Sequence, residues 1–315
     1  MRILITGIAG FIGSSLGERL ISDGHSIIGI DNFDSFYPKT IKQRNLIKLN
    51  SNTEFTFYDS DVRNKPLINR IFNDHKIDLV VHLAAKAGVR PSIEDPGEYY
   101  DVNVSGTLSI LQCMQKNFVS KLIFASSSSV YGSNIKVPFS ETDSVDNPIS
   151  PYAATKKSGE LLCHVYSHLY GFDITCLRFF TVFGPRQRPD LAIHKFTHLI
   201  DTNKPIPVFG DGSTARDYTY IDDIADGIVC AIQNLKGYNI YNLGESKVIK
   251  LSELIQTIEN ALGKKALIDR HPLQPGDVMI TYADITKARS EIGYNPKFDI
   301  RIGIEKFVTW YIGNK

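Results

Sequence analysis

Tyr152 and Lys156 are the residues of this sequence whose types and spacing best suit proton transfer. They stand four apart in "SPYAATKKSGELL", where Ser150 is a suitable N-cap and Pro151 a suitable first helical residue. Residues four apart project from one face of a helix. Because an ammonium beside a phenol favours the phenolate, the pair predicts a base with a pKa below the ordinary value of about 10.

Four serines, residues 126 to 129 in "KLIFASSSSVYG", directly follow the apolar run of a predicted strand. Hydroxyl groups enclosed at a strand end need hydrogen-bond partners, because an unpaired buried hydroxyl costs free energy. In open α/β sheets, ligands bind at the carboxyl ends of the strands. The serine run therefore predicts polar groups that meet a ligand, with Tyr152 as a further partner.

Three glycines in "ILITGIAGFIG", Gly7, Gly10 and Gly13, join a predicted strand to a predicted helix. Glycines at such a turn let the backbone approach a pyrophosphate and let helix and strand pack closely. The spacing departs by one residue from the usual dinucleotide fingerprint, but strand, turn and helix follow in the required order. The turn therefore predicts a dinucleotide site that includes the intervening Phe11 and Ile12.

An acidic residue, Asp31, ends the second predicted strand in "SIIGIDN". It stands at roughly the 20-residue offset at which a carboxylate hydrogen-bonds the adenosine ribose of NAD. An anionic side chain there would repel the 2′-phosphate of NADP, so NAD is the predicted cofactor. The remaining candidate cofactor contacts lie after later strands and on the Tyr–Lys helix: Asn32, Asp61, Val62, Leu83, Ala84, Ala85, Lys86, Tyr152 and Lys156.

Short apolar runs must position these residues, and they alternate with helix-length segments in the first half of the chain. The runs are "RILIT", "SIIGID", "EFTFY", "DLVVHLAA", "KLIFAS" and "ITCLRFF". This alternation predicts an α/β fold of the Rossmann type, a doubly wound parallel sheet with helices on both faces. We predict an NAD-binding domain at 1–180 with a return segment around 214–245, and a smaller mixed α/β substrate-binding region at 181–213 and 246–315.

Charge and cysteine usage narrow the expected partners and compartment. The 315 residues carry a formal net charge of +1 with scattered lysines and arginines, so neither nucleic acid nor a membrane surface is a predicted partner. The four cysteines are widely spaced, which predicts neither a disulfide framework nor a thiolate zinc site. The histidine pairs in "HVYSH" and "HKFTH" lack a clear third ligand, so no metal is predicted. With no signal-peptide pattern or membrane-spanning run, we expect a cytoplasmic protein.

With these motifs the chain resembles the extended short-chain dehydrogenase/reductases, and within them the NAD-dependent nucleotide-sugar 4-epimerases. The resemblance runs over essentially the whole length, from the glycine turn through "SSSSVYG" and "SPYAATK" to "RDYTYIDDI" and "LQPGD". It implies a catalytic group of Ser127, Tyr152 and Lys156, with a neighbouring serine of the run left open for the first role. It also implies a homodimer formed through paired helices.

The residues before "VYG" bear on the reaction that the resemblance implies. Related dehydratases and decarboxylases carry acidic residues in this segment, whereas this sequence has serines. The implied outcome is that a 4-keto intermediate is reduced again on its other face, which is 4-epimerisation with NAD regenerated. Tyr152 would act as the base for the 4′-hydroxyl, Ser127 would bind the same oxygen, and Lys156 would contact the nicotinamide ribose.

The resemblance is greatest to UDP-glucuronate 4-epimerases, which convert UDP-glucuronate to UDP-galacturonate. Arginines near the pocket suit a sugar carboxylate and a diphosphate. Thr181 stands where UDP-glucose enzymes usually have Asn, but Lys86 stands where the glucuronate enzymes usually have Gln. The predicted substrate contacts are Arg90, Ser128, Ser129, Thr181, Arg186, Arg188, Arg216, Gln274 and Asp277. A UDP-glucose or UDP-N-acetylglucosamine 4-epimerase and a non-catalytic NAD-binding sensor remain the alternatives.

Overall fold

Strands and helices alternate through the first part of the chain, as the sequence predicts. The strands are β1 (Arg2–Thr6), β2 (Ser26–Asp31), β3 (Phe55–Asp59), β4 (Leu79–His82), β5 (Lys121–Ser127) and β6 (Asp173–Phe179). The helices are α1 (Phe11–Ser22), α2 (Lys39–Asn50), α3 (Lys65–His75), α4 (Val89–Glu94), α5 (Pro96–Tyr100), α6 (Gly106–Lys116) and α7 (Pro151–Tyr170). A π-helical turn, Asp101–Ser105, precedes α6, and a 3₁₀ turn, Ser128–Tyr131, follows β5.

The rest of the chain loses this regular alternation. Its strands are β7 (Thr181–Phe183), β8 (Pro205–Phe209), β9 (Ala215–Arg216), β10 (Tyr218–Tyr220), β11 (Tyr238–Leu243), β12 (Ile249–Lys250) and β13 (Leu267–His271). Its helices are α8 (Ala192–Asp201), α9 (Ile221–Gln233), α10 (Leu251–Leu262), α11 (Thr286–Ile292) and α12 (Ile300–Gly313). Most of these strands form two-stranded pairs, β10 with β7, β12 with β9 and β13 with β8.

A seven-stranded parallel sheet forms the centre of the computed structural model, which describes residues 1–272 and 278–315. The strand order is β11-β6-β5-β4-β1-β2-β3, so the order reverses between β1 and β4. The predicted Rossmann-type fold is confirmed, and such a reversal opens a crevice at the carboxyl ends of the strands. The seventh strand, β11, comes from the predicted return segment. Gln274 and Asp277 lie outside the described residues.

The central strands are buried on both faces because helices cover the sheet on each side. Ile3, Leu4 and Ile5 of β1 are fully buried, as are Val80 and Val81 of β4. This explains why these strands read as continuous apolar runs and not as an alternating pattern. Of the helices in the described residues, none combines the length and the apolar character that crossing a bilayer requires.

Candidate active site

A cavity of about 430 Å³ opens at the carboxyl ends of the parallel strands, around the point where the strand order reverses. All residues predicted to contact the cofactor line it: Gly7, Gly10, Phe11, Ile12, Gly13, Asp31, Asn32, Asp61, Val62, Leu83, Ala84, Ala85, Lys86, Tyr152 and Lys156. Ser127, Ser128, Ser129, Thr181 and Arg188 line the same cavity. The structure therefore brings most of the predicted cofactor and sugar contacts into one space.

The glycine turn has no room for side chains. Gly7 has a φ of +75°, and a Cβ added there would lie 2.8 Å from the backbone nitrogen of Ala84. A Cβ added to Gly13 would lie 2.2 Å from the carbonyl oxygen of Gly7. Gly10 precedes α1 and caps it with no side chain, so backbone N–H groups at the start of this helix remain available to an anion. This cradle fits the pyrophosphate of a dinucleotide.

Two carboxylates flank the end of the cavity next to β2 and β3. Asp31 accepts a hydrogen bond from the backbone N–H of Ala9, at 3.0 Å, which ties the end of β2 to the glycine turn. Burial raises the pKa of the Asp31 carboxyl. The guanidinium of Arg63 and the amide of Asn32 both donate to Asp61, at 2.7 and 2.8 Å, and the bond to Arg63 contributes most to lowering its pKa. Asp61 is therefore held as an anion in a fixed orientation.

The start of α7 places Tyr152 against the serine run. The backbone N–H of Ala153 donates to the Ser150 hydroxyl at 3.1 Å, so Ser150 is the N-cap of α7, as the sequence predicts. Tyr152 lies in the first turn, in the same cavity as Ser127, and the nearby Ser127 hydroxyl acts to lower the pKa of its phenol. The Ser127 hydroxyl also accepts from the backbone N–H of Ser129, at 3.1 Å. Ser127 is thus the serine of the run that this geometry pairs with Tyr152.

The environment of Lys156 differs from the sequence-based expectation. Its Nζ donates to the carbonyl oxygen of Ala125 at 2.8 Å, and burial lowers the pKa of the ammonium to about 8. Burial also raises the pKa of the Tyr152 phenol, which outweighs the lowering by the nearby Ser127 hydroxyl and by the charge of Arg188. The prediction that Lys156 brings the phenol below its ordinary pKa is therefore wrong for this structure, because Lys156 is bonded to β5 and the desolvation of Tyr152 dominates.

The two arginines of "GPRQRP" lie in different places. Arg188 forms a two-bonded pair with Asp190, at 3.0 and 2.7 Å, and its guanidinium carbon lies 4.9 Å from the centre of the Phe36 ring in the cavity. Arg186 instead donates to Glu18 of α1, at 2.6 Å, and lies outside the set of residues that line the cavity. Of these two predicted substrate contacts, the structure places only Arg188 in the cavity that contains Tyr152.

A second cavity, of about 250 Å³, contains the other predicted arginines. Arg90 and Arg216 line it together with Lys195 and Phe209, and the Arg90 guanidinium carbon lies 5.0 Å from the centre of the Phe209 ring. Asp190, the partner of Arg188, also lines this second cavity. The two cavities are therefore neighbours, and the second offers several cations beside an aromatic ring.

Sequence reasoning missed a group of cavity residues that follows β2. Asp34, Phe36, Tyr37 and Lys42 all line the first cavity. The Nζ of Lys42 donates to the carbonyl oxygen of Asp34 at 2.6 Å and lies 4.6 Å from the centre of the Tyr37 ring. The available signal was the mixture of aromatic and charged residues in "DNFDSFYPKTIKQRN" immediately after a predicted ligand-binding strand.

The histidines of "HKFTH" have partners in the protein. His194 is bonded through Nδ1 to the carbonyl oxygen of Gln187, at 2.6 Å, and His198 through Nδ1 to the Tyr311 hydroxyl, at 3.1 Å. Across residues 1–272 and 278–315 there is no cluster of three or more His, Cys, Asp or Glu side chains suited to a metal ion. These two histidines therefore serve helix packing in this structure.

The Rossmann-type sheet, the glycine cradle and the Ser–Tyr–Lys group define the class of short-chain dehydrogenase/reductases. Residues 4–307 match the family model described as GDP-mannose 4,6 dehydratase. The chain is 45% identical over 308 residues to UDP-glucuronate 4-epimerase of Thermodesulfobacterium geofontis (strain OPF15), covering 98% of this chain and 95% of that protein. The chain therefore belongs to the GDP-mannose 4,6-dehydratase family of extended short-chain dehydrogenase/reductases, and the predicted resemblance is confirmed.

Solved structures agree with this assignment. A Bacillus cereus UDP-glucuronic acid 4-epimerase in complex with UDP-glucuronic acid and NAD matches with a TM-score of 0.92 and 37% identity, covering 100% of both chains. A Thermotoga maritima UDP-glucose 4-epimerase with UDP-glucose matches with the same TM-score and 32% identity, covering 100% of this chain and 99% of that one. The fold is thus shared by epimerases of acidic and of neutral sugars.

Proposed function

We propose that this protein is an NAD-dependent 4-epimerase of a UDP-sugar, and that it converts UDP-glucuronate to UDP-galacturonate. The observation that carries the proposal is the placement of Tyr152. It lies beside Ser127 and within the electrostatic influence of Arg188, in the same cavity as the glycine cradle. A proton-transfer group, a dinucleotide site and a cation for an acidic sugar therefore meet in one place.

The cofactor site fits NAD. The N–H groups at the start of α1 would hold the pyrophosphate, Asp31 the adenosine ribose, and Lys156 the nicotinamide ribose. Asp61 and Val62 would contact the adenine. Bound NAD supplies a reversible hydride acceptor at the sugar's C4′. The carboxylate of Asp31 favours NAD over NADP because a 2′-phosphate would meet a second negative charge.

Proton transfer is the part of the chemistry that the protein's own groups perform. Tyr152 would take the proton of the 4′-hydroxyl and return it when the sugar is reduced, while the Ser127 hydroxyl binds the same oxygen. Ser127 is oriented for this because its oxygen already accepts from the backbone N–H of Ser129. Between the two hydride transfers the sugar must rotate so that its opposite face meets the cofactor. It therefore has to be held by its diphosphate and not by its ring.

The carboxylates around the cavity favour epimerisation over elimination. Within the described part of the chain, those lining it are Asp31, Asp34 and Asp61, which lie at or after the ends of β2 and β3. The serine run and Tyr152 lie on the other side of the strand-order reversal. Elimination within the sugar needs an acid or base beside the reacting carbons. This supports epimerisation although the family is named after a dehydratase.

The second cavity suits the diphosphate and the nucleoside. Arg90, Lys195 and Arg216 supply positive charge there, and Phe209 supplies an aromatic face. Ser128, Ser129 and Thr181 would contact the sugar in the first cavity. Arg188 would face the C6′ carboxylate of UDP-glucuronate. The assignments of Gln274 and Asp277 as substrate contacts remain proposals from the sequence.

A neutral UDP-sugar is the second candidate substrate, because a UDP-glucose 4-epimerase has the same fold. The position of Arg188 favours the acidic sugar. A mostly buried guanidinium gains a charge-assisted hydrogen bond from a sugar carboxylate, whereas a neutral sugar offers it only neutral acceptors. Arg188 is 18% exposed and already paired with Asp190. The two substrates therefore differ in the bond that they would add to this pair, which is charge-assisted for UDP-glucuronate and neutral for UDP-glucose.

The remaining proposals concern organisation. The NAD-binding domain comprises 1–180 with 214–245, and the substrate-binding region 181–213 with 246–315. Support for the first comes from β11, which joins the large sheet. A homodimer through α7 is supported by its exposed apolar stripe, in which Leu161, Val165 and Leu169 are 54%, 45% and 62% exposed. Four free thiols support the expected cytoplasmic setting.

The proposal is tested by incubating the purified protein with each UDP-sugar, without added reductant, and following the anomeric and H4′ signals by NMR. We expect UDP-glucuronate and UDP-galacturonate to interconvert. Turnover of UDP-glucose or UDP-N-acetylglucosamine alone would overturn the choice of sugar. No turnover of any of these sugars by protein that retains NAD would favour a sensor and overturn the enzyme assignment.

A further inference from the structure

Glu160 is a buried carboxylate on the helix that carries Tyr152 and Lys156. Its side chain is 1% exposed, and it lies one turn beyond Lys156. Its Oε1 accepts from the Ser126 hydroxyl at 2.6 Å and from Nε of Arg178 at 2.9 Å. Its Oε2 accepts from the Arg178 NH2 group, also at 2.9 Å. Both oxygens are therefore engaged, and the carboxylate is compensated by a guanidinium from β6.

The bond to Ser126 joins the catalytic helix to the catalytic strand. Ser126 belongs to the serine run, but its hydroxyl donates to Glu160. The residue before it, Ala125, accepts from Lys156 of the same helix. Two successive residues of β5 are thus bonded to two residues of α7 that lie one turn apart. Ser127 follows directly in the strand, and Tyr152 lies one turn earlier in the helix.

We propose that Glu160 is a positioning residue that fixes the register of β5 against α7, so that the Ser127 hydroxyl meets the Tyr152 phenol. This role rests on the proposed function, because it concerns the geometry of the proposed base. The contact between the two catalytic side chains crosses between separate elements. It therefore depends on how strand and helix are held together, and the two bonds described above hold them next to the reacting groups.

A charged acceptor suits this task better than a neutral one. Hydrogen bonds to an ionised group are shorter and stronger than neutral ones, so Glu160 restrains Ser126 firmly. Arg178 contacts both oxygens of the carboxylate, and its guanidinium carbon lies 4.9 Å from the centre of the Tyr131 ring, at the end of the turn that contains the last two serines of the run. Because Tyr131 follows the same strand, the ion pair supports both ends of the run.

The first test is Ser126→Ala, which removes the donor to Glu160 and leaves the charges in place. We expect kcat for the UDP-sugar to fall by about tenfold to a hundredfold, since small displacements of reacting groups have effects of this size. KM and NAD retention should stay within about twofold of wild type. The matched control is Ser109→Ala on α6, a buried serine whose hydroxyl has no partner among the described residues. It should leave kcat unchanged.

The second variant, Glu160→Gln, keeps the shape and removes the charge. If it folds, the effects of the two variants on kcat should be less than additive, because Ser126 and Glu160 share one hydrogen bond. A crystal structure of Ser126→Ala gives a readout apart from activity, in which the separation of the Ser127 and Tyr152 oxygens should increase. Should kcat of Ser126→Ala equal that of wild type, the positioning role is overturned while the proposed function stands. Inactive wild-type protein overturns the proposed function, and an unchanged Ser127–Tyr152 separation then overturns the positioning role separately.

Discussion

Lys86 and Asp34 form an ion pair beside the cofactor cavity, with Nζ 3.0 Å from Oδ2, and Glu98 of α5 lies 3.5 Å from the same ammonium. Lys86 follows β4 and Asp34 follows β2, so the pair links the two sides of the strand-order reversal. The backbone of Lys86 is held independently, since its N–H donates to Asn103 at 2.8 Å. The side chain can therefore be changed without loosening this segment.

Replacing Lys86 with the Gln usual in the glucuronate enzymes, Lys86→Gln, should speed the release of NAD. The pair is partly buried, with Lys86 18% and Asp34 28% exposed, so its loss should raise the NAD dissociation rate by about two- to tenfold. The rate can be measured by stopped-flow dilution of the NAD complex. Lys265→Gln breaks a pair between an exposed lysine and Glu259 and serves as control. Equal dissociation rates in wild type and Lys86→Gln would show that the pair does not retain the cofactor.

Tyr152→Phe should abolish most turnover without loss of the cofactor. The phenol oxygen is the proposed base, and general base catalysis contributes about a hundredfold or more to such reactions. We expect kcat to fall by at least that factor while NAD stays bound, measured by the NMR assay and by cofactor analysis of the purified variant. Tyr170→Phe, at the exposed end of the same helix, should behave like wild type. Comparable rates for both variants would mean that the base has been misassigned.

Arg188→Gln should weaken selection for the acidic sugar. A charge-assisted bond to the C6′ carboxylate corresponds to about a tenfold to hundredfold loss of kcat/KM for UDP-glucuronate. The value of kcat/KM for UDP-glucose should change much less. Arg186→Gln is the matched control, because Arg186 lies two residues away and pairs with Glu18. The carboxylate role is refuted if Arg188→Gln lowers kcat/KM equally for both sugars. It is also refuted if Arg188→Gln and Arg186→Gln have the same effect on kcat/KM.

Lys156→Met should reveal the cost of burying an ammonium. Burial lowers the folded-state pKa of Lys156 from 10.5 to about 8. Between these values the unfolded chain binds more protons than the folded one, so wild-type stability rises with pH. The free-energy cost of burying the protonated ammonium is fully present below about pH 8. It decreases as the pH rises towards 10.5. Relative to Lys156→Met, the wild-type free energy of unfolding should rise by roughly 2 kcal/mol between pH 7.5 and 9.5.

This comparison uses urea unfolding of cofactor-free protein at both pH values. Other groups titrate in wild type and variant alike, so the difference isolates Lys156. Lys265→Met removes an exposed ammonium and should show no such pH-dependent difference. A constant difference between wild type and Lys156→Met would mean that Lys156 has an ordinary pKa in the folded protein.

Local patterns were sufficient to predict strands β1 to β6, the glycine turn and the start of α7. The Ser150 cap, for example, involves residues only three apart. The bond between Ser126 and Glu160 spans 34 residues and depends on how α7 packs against β5, which no local pattern reports. The same packing turns Lys156 towards Ala125. The prediction for the pKa of Tyr152 failed because it considered spacing along the helix and not the burial of the phenol.

The two arginines of "GPRQRP" show a second limit of prediction from sequence. Arg186 and Arg188 look equivalent in sequence, yet Arg186 adopts a positive φ of 70° and pairs with α1, whereas Arg188 lies in the cavity. Such a backbone conformation is uncommon for a residue other than glycine and is set by the surrounding fold. The residue types predicted cations near the substrate, but the turn decided which of them reaches it.

Helix α7 carries Tyr152 and its exposed apolar residues in separate parts of its length. Tyr152 lies in its first turn, whereas the exposed apolar residues Leu161, Val165 and Leu169 begin more than two turns later. Polar replacements in this stripe therefore leave the catalytic end of the helix untouched. For protein engineering, this means that the exposed apolar surface of α7 can be made more polar without changing the residues at Tyr152.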